Sequence, residues 1–324
     1  MNNLEARFIK FKSTYRKNDL KYGKYWEEAK KTFNVSFKES RYQSHGSRNY
    51  LPLIYDEDQF NEEEIIKVNG KKFLKIGNKN LCMTKNLGNN TLIYTSSYYE
   101  DLEKYINKNS TCLEVGAGAG LFQYIIHNYK NTKNIIIDIP EVISNSIALC
   151  FTLFPEKKII LPNEILNENL NLDDYDFVFL LPEQKNIIKK TSIDFCFNTQ
   201  SFMEMDLNEV NDYILYFSNI LKEDGYSFIS NRVRKITYFF SYNYKPTKFK
   251  KVFLQKDKLF YKSKDRSSIL NLLLIKKEKN YFHFNIIHFL FGIFFLKRRE
   301  LFFWLKKDIK RTLRNLIFFY KKSV

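Results

Sequence analysis

Cysteine, glycine, proline and histidine are all scarce in this 324-residue chain, at four, ten, six and four residues. The cysteines, Cys82, Cys112, Cys150 and Cys196, lie far apart and form no C-x-x-C pair. That spacing argues against a disulfide scaffold or a zinc knuckle, and a reducing cytosol is the simpler setting. So little Gly and Pro excludes collagen-like and proline-rich chains. The opening residues Met1 to Glu5 carry no apolar core, so no secretory signal is expected. Tyr281 to Leu296 is a stretch of 16 residues without formal charge, short of the ~20 a spanning helix needs.

What is present is a core-forming composition, with 44% hydrophobic and 27% charged residues. The length suits one large domain or one domain with appendages, since single cores stop growing near ~250–300 residues. The net charge of +17 is unevenly placed. Residues 1–231 hold 28 Lys and Arg against 31 Asp and Glu, a net of −3, and residues 232–324 hold 25 against 5, a net of +20. Codon bias would raise Lys throughout and does not explain an excess that begins after Asn231.

The pattern along the chain divides it into four parts. Residues 1–109 form the first, in which residues 1–45 are polar and charged, with Tyr15, Tyr22, Tyr25, Trp26 and Phe33 spaced for helices with one adhesive face. This part also contains a short apolar run, Leu51 to Tyr55, and a hairpin-like stretch, Lys72 to Ile76, bounded by Asn69-Gly70 and Gly77-Asn78. Tyr94 to Ile106 reads as a helix with Ser96 or Ser97 at its start. Residues 110–231 alternate apolar strands (Thr111 to Val115, Asn134 to Asp138, Asp176 to Leu181, Ile193 to Phe197, Tyr226 to Ser230) with helices. The helices are Leu121 to Tyr129, Val142 to Phe154 and Glu209 to Leu221. Such alternation predicts an α/β, doubly wound parallel sheet covered on both faces. Residues 232–280 read as a basic extension with one isolated apolar run, Ser268 to Ile275. Residues 281–324 form a basic aromatic tail.

The most informative string is Leu113-Glu114-Val115-Gly116-Ala117-Gly118-Ala119-Gly120. A glycine turn between strand and helix lets the backbone approach a ligand, with the helix N-terminus behind it. The spacing is G-x-G-x-G rather than the G-x-G-x-x-G of dinucleotide sites, and Glu114 precedes it. An acid there suits a ligand bearing ammonium and sulfonium charge better than a pyrophosphate. Asp138 ends the next strand, placed to accept ribose hydroxyls. The competing reading is a glycine turn that binds nothing.

This arrangement resembles the class I S-adenosylmethionine-dependent methyltransferases over roughly residues 110–231. Two further segments are similar to the sugar O-methyltransferase family of bacterial surface-polysaccharide synthesis: Ile137-Asp138-Ile139-Pro140-Glu141-Val142, and Phe197-Asn198-Thr199-Gln200-Ser201-Phe202-Met203-Glu204-Met205. Ala119 stands where that family often has an aromatic residue. The resemblance implies a Rossmann-like methyltransferase core under an N-terminal helical cap, with S-adenosylmethionine as cofactor. Glu114, Gly116, Ala117, Gly118, Gly120, Asp138, Ile139, Glu183 and Asn198 would then line the cofactor. Gln200, Ser201 and Tyr98 would hold the acceptor. Methyl transfer to a hydroxyl needs a positioned base. Glu204, between Met203 and Met205, is the first candidate and His45 the second, whereas a helix cap or a loop contact is the structural alternative for Glu204. His127 reads as a packed or surface residue. Asp173, Asp174 and Asp176 precede a strand, at the wrong end of the sheet for chemistry, so no metal is expected.

In the tail, residues 297–324 hold ten Lys and Arg against Glu300 and Asp308, interleaved with Phe302, Phe303, Trp304, Phe318, Phe319 and Tyr320. This composition suits a helix lying on an anionic membrane surface. Packing on the core or a homo-oligomer interface is the alternative, and nucleic acid is disfavoured because no RNA-binding module accompanies the tail. The expected function is methylation of a sugar hydroxyl in surface-glycan biosynthesis, in the cytoplasm at the inner face of the membrane. Its rivals are an RNA or protein methyltransferase, and a non-catalytic membrane-associated module that binds the cofactor.

Overall fold

The computed structural model describes residues 3–15, 35–38, 41–44, 53–56, 73–76, 79–82, 91–165, 171–232, 249–257 and 269–277. Helix α1 (Asn3–Tyr15) opens them, followed by strands β1 (Val35–Lys38) and β2 (Arg41–Ser44), which pair antiparallel. Strands β3 (Leu53–Asp56), β4 (Phe73–Ile76) and β5 (Lys79–Cys82) form a small antiparallel sheet in the order β3-β5-β4, and helix α2 (Thr91–Leu102) follows. Among the described residues the N-terminal region is therefore mixed rather than wholly helical. Val35 to Lys38 alternates apolar and polar residues, a period of two that a helix cannot present to one face. Helix α2 starts at Thr91, ahead of the serines expected to begin it. The N-terminal aromatics Tyr22, Tyr25, Trp26 and Phe33 lie outside the described residues, as does the tail.

Then comes the main body: β6 (Thr111–Val115), α3 (Leu121–Lys130), β7 (Lys133–Ile137), α4 (Pro140–Leu153), β8 (Ile159–Ile160), β9 (Phe177–Leu180), β10 (Ile193–Thr199), α5 (Leu207–Ile220), β11 (Leu221–Arg232), β12 (Phe249–Lys256) and β13 (Ile269–Lys276). Among the described residues these strands make one sheet of eight, in the order β12-β13-β11-β10-β6-β7-β9-β8. β13 runs antiparallel to both neighbours, and the other pairs are parallel. Their continuous apolar text follows from burial on both faces.

The sheet extends past Asn231. The run ending at Ile275 is not isolated, because strand β13 is inserted between β11 and β12 and is buried along most of its length. Even Lys276 is enclosed there, its Nζ donating to the Leu221 carbonyl at 2.5 Å. Strand β11 also starts earlier than expected, at Leu221, with a register shift that absorbs Lys222 to Gly225.

Local signals fix the helix ends. Pro140 occupies the first turn of α4, where its missing N–H costs nothing. At α5, the Asp206 amide donates to Glu209 Oε2 at 3.1 Å, one arm of a capping box. Three apolar layers hold the body together. α1, β1, α3 and α4 cover one region of the sheet through Phe8, Phe11, Phe37 and Phe151. α5 covers the opposite face through Val210, Ile214 and Phe217. α2 lies over β10, β11 and β13 through Tyr98, Leu102, Phe197, Phe228 and Leu273. Arg7 of α1 adds a bidentate clamp on Glu164, at 2.6 and 2.7 Å, and a third bond to the Ile159 carbonyl.

Candidate functional site

Strand order reverses between β6 and β10. From β6 the chain moves outward through β7 and β9, then returns to place β10 on the other flank of β6. Ligands of open α/β sheets bind beyond the carboxyl ends of the strands at such a switch point. The glycine loop follows β6, Asp138 follows β7, and Asn198 to Glu204 lie at and after the end of β10. The fold thus brings three separate sequence segments to one edge.

The three loop glycines have positive φ, at 70, 61 and 76°, but different surroundings. A Cβ on Gly116 would lie 2.0 Å from Ser201 Oγ, and one on Gly120 would lie 2.7 Å from the Tyr124 hydroxyl. A Cβ on Gly118 would meet nothing within 4 Å. Gly116 and Gly120 serve close packing, and Gly118 is where the backbone faces open space. Both of its peptide groups are fixed from behind: its N–H donates to Asp138 Oδ2 at 3.0 Å, and its carbonyl accepts from Ser146 Oγ at 2.7 Å. The Ala117 carbonyl accepts the Gly120 N–H at 2.9 Å and closes the turn.

Asp138 is 6% exposed, and its Oδ1 accepts the Ile139 N–H at 2.8 Å. Burial pushes its carboxyl up to about 7, against the pull of the Gly118 and Ile139 amides, with the charges of Glu114 and Glu204 adding to the rise. A carboxylate has about four acceptor positions, so two remain beyond the Gly118 and Ile139 amides. Glu114 is 1% exposed; Oε1 accepts from Thr199 Oγ1 at 2.6 Å, whereas Oε2 is buried with no partner among the described residues. Burial lifts it, too, to about 7. The Thr199 hydroxyl and the enclosed Gln123 amide beside it pull the other way.

The residues after β10 divide into two groups. Asn198 is fully buried and turned inward. Its Nδ2 reaches the Val115 carbonyl at 2.8 Å and Ser201 Oγ at 2.5 Å, and its Oδ1 accepts from Phe202 N and Asn231 Nδ2. Ser201 also bonds the Val115 carbonyl, at 3.1 Å, and is buried. Both residues tie the β10 loop to the β6 loop rather than presenting polar atoms to a ligand, a correction to the roles expected of them. Tyr98 is 1% exposed and cannot itself touch an acceptor. Gln200 is only half-buried and has φ 73°, a strained position for a residue with a side chain. Glu204 sits in the turn Phe202–Glu204, half-buried, close enough to Asp138 to raise its pKa. The cap of α5 is Asp206, so capping is not the task of Glu204.

Glu183 is exposed in the turn Pro182–Ile187 after β9, on the Asp138 side of the switch point. Ile139 is 8% exposed and caps α4. His127 is packed, with Nδ1 on the Thr132 carbonyl at 2.7 Å. His45 lies outside the described residues. No group of three or more metal-ligating side chains occurs among the described residues. Sequence reading placed Thr199 in the segment around the end of β10 without its bond to Glu114, and missed Asn231. The Thr199 bond could have been found from sheet register, because Glu114 faces Phe197, two residues earlier on the same face.

The loop and the two carboxylates thus lie together at the switch point of an α/β sheet. No family model matches the sequence, and no curated protein matches it. Among solved structures, the chain is similar to 1,6-didemethyltoxoflavin-N1-methyltransferase of Burkholderia thailandensis, with 11% identity, TM-score 0.41, and 57% of this chain and 77% of that one covered. It is similar also to the geranyl diphosphate C-methyltransferase of Streptomyces coelicolor A3(2), with 13% identity, TM-score 0.37, and coverage of 56% and 79%. A third is the cyclase SpnF, with 11% identity, TM-score 0.41, and coverage of 56% and 79%. Likenesses at that level say nothing of what this chain acts on.

Proposed function

We propose that this protein is an S-adenosylmethionine-dependent O-methyltransferase that methylates a sugar hydroxyl in glycan biosynthesis. The observation that carries the reading is the meeting of Gly118, Asp138 and Glu114 at one edge of the sheet. The donor set fits a cationic nucleoside. Two buried carboxylates flank the loop, and the loop itself has no Lys or Arg. Such a pocket repels phosphate and attracts ammonium and sulfonium charge. Asp138 would hold the ribose, Gly118 would give the backbone approach, and Glu183 would border the base.

When bound, S-adenosylmethionine would supply an electrophilic methyl group and depart as the neutral thioether. The protein's task is to align the acceptor oxygen and take up its proton as the new C–O bond forms. Glu204 is the carboxylate available for that proton, in a turn lined by Met203 and Met205. The sugar specificity rests on the resemblance of the Asn198 to Met205 segment. The basic aromatic text of residues 281–324 supports a place at an anionic membrane surface. Among the described residues, no helix is long and apolar enough to cross a membrane.

The test is calorimetric titration with S-adenosylhomocysteine, followed by radiolabelled methyl transfer to glycan and RNA acceptors. Asp138→Ala should weaken binding by about tenfold or more while leaving a cooperative melt. Undiminished affinity in that variant, or preferential labelling of RNA, overturns the reading. Loss of liposome binding on deletion of residues 281–324 is the expected result for the tail.

A further inference from the structure

A polar rung crosses the sheet on the α2 side. Thr199 of β10 faces Ser230 of β11, Ser230 faces Asn271 of β13, and Asn271 faces Gln255 of β12. Tyr98 of α2 lies against this rung. Its phenolic oxygen receives Gln200 Nε2 at 3.1 Å and Ser230 Oγ at 3.0 Å. Asp257, 3% exposed, adjoins the same hydroxyl, and its Oδ2 accepts Asn271 Nδ2 at 3.3 Å. Burial first, and then the Asp257 carboxylate, hold the phenol well above its ordinary pKa, so it stays protonated.

The direction of these bonds follows from the chemistry of the groups. A carboxylate only accepts, and a phenol has one proton to give. Gln200 Nε2 and Ser230 Oγ both donate to the phenolic oxygen, which leaves the phenol's own proton to face the neighbouring Asp257 carboxylate. The Gln200 amide is thereby fixed with its nitrogen inward. Among the described residues its Oε1 has no hydrogen-bond partner, and it is not enclosed. The backbone gives independent support. Gln200 has φ 73°, and its N–H donates to the Ser230 carbonyl at 2.7 Å. Glycine would occupy this position without strain. A strained side chain on the rim of a site is the pattern expected where the side chain has a task.

We propose that Gln200 is an acceptor-positioning residue, held by Tyr98 and Asp257 with its carboxamide oxygen outward, so that the site selects an acceptor offering a hydroxyl proton at that point. The assignment rests on the reading that methyl transfer occurs at the ends of β6 and β10. Tyr98 is a positioning residue that acts through Gln200. An acceptor presenting only carboxylate or phosphate oxygens there would meet a like dipole and be rejected.

The experiment uses the full chain and three measurements. Titration with S-adenosylhomocysteine is the first, and loss of binding in the wild type counts against the cofactor reading alone. In the second, NMR of the labelled complex should show Gln200 Nε2 protons with contacts to the Tyr98 ring and slow exchange. Tyr98→Phe should abolish that protection, and a Gln200 amide with its nitrogen outward overturns the proposal. The third is transfer of labelled methyl groups to a panel of methyl glycopyranosides. Gln200→Gly relaxes the backbone, so it should melt no lower than the wild type and bind S-adenosylhomocysteine within about twofold, yet lose about tenfold or more in kcat/KM. Tyr98→Phe should raise the acceptor KM with cofactor affinity kept. Unchanged kcat/KM in Gln200→Gly overturns the proposal. So does an absence of transfer by a wild type that still binds S-adenosylhomocysteine, and in that case the cofactor reading stands.

Discussion

Asp138 Oδ2 accepts the Gly118 N–H at 3.0 Å, so a residue at the end of one strand sets the loop that follows its neighbour. The bond links twenty positions of sequence. It explains how a glycine turn with open space in front of it keeps one conformation: Asp138 and Ser146 hold its two polar groups from behind.

Charge in this site should depend on pH in a definite sense. Asp138 and Glu114 are raised from 3.8 and 4.5 to about 7. Folding therefore favours their neutral forms. The associated stability is complete below the unfolded values and is lost as pH rises through about 7. The melting temperature of the unliganded protein should fall between about pH 5 and 7.5 relative to a Glu114→Gln, Asp138→Asn double variant. A cationic ligand draws both groups into the ionised form, so binding should release protons and tighten over the same range. Calorimetry in buffers of different ionisation heat measures this directly, and proton uptake would contradict it.

The glycines should separate packing from binding. Gly118→Ala has room for its methyl group and bears only the left-handed backbone strain, about 1–2 kcal/mol. It should fold and lose affinity for S-adenosylhomocysteine. Gly120→Ala must also displace Tyr124, whose hydroxyl donates to the Ser146 carbonyl at 2.6 Å, so its melting temperature should fall further.

Asn198→Ala should act on stability first. It orphans the Phe202 N–H and the Asn231 Nδ2 in a buried setting, at a cost of about 2–4 kcal/mol in urea unfolding. A variant that unfolds like the wild type would show that these bonds contribute little.

Arg7→Ala should loosen α1 without touching the site. Losing the paired bonds to Glu164, whose side chains are 25% and 26% exposed, should cost about 1–3 kcal/mol. Hydrogen exchange should then quicken in α1, with affinity for S-adenosylhomocysteine unchanged.

The alternation of strands and helices, the glycine loop and the acid that follows it could all be read from residue order. Each depends on neighbours within a few positions: burial on both faces makes Asn134 to Ile137 almost wholly apolar, and a left-handed turn needs glycine at Gly118 and Gly120. Strand β13 could not be read this way. Its apolar residues are explained only by the flanking strands β11 and β12, which pair with it across the intervening chain. β4 was legible in the hairpin-like stretch before Gly77-Asn78, but β1 and β2 were hidden for a related reason, since four-residue strands carry too little periodicity to outweigh helical spacing of aromatics nearby.

Within the site, local order named the right segment after β10 but not the task of each residue. Asn198, Gln200 and Ser201 stand within four positions of one another, equally polar as text. Strand pleat turns Asn198 into the core, and the left-handed backbone at Gln200, just past the strand, presses Ser201 against Gly116 and leaves Gln200 at the rim. Covalent sequence decides which residues are able to donate, accept or bend. Which of those capacities faces a ligand is settled only when distant strands align, because alternate side chains leave opposite faces of a sheet.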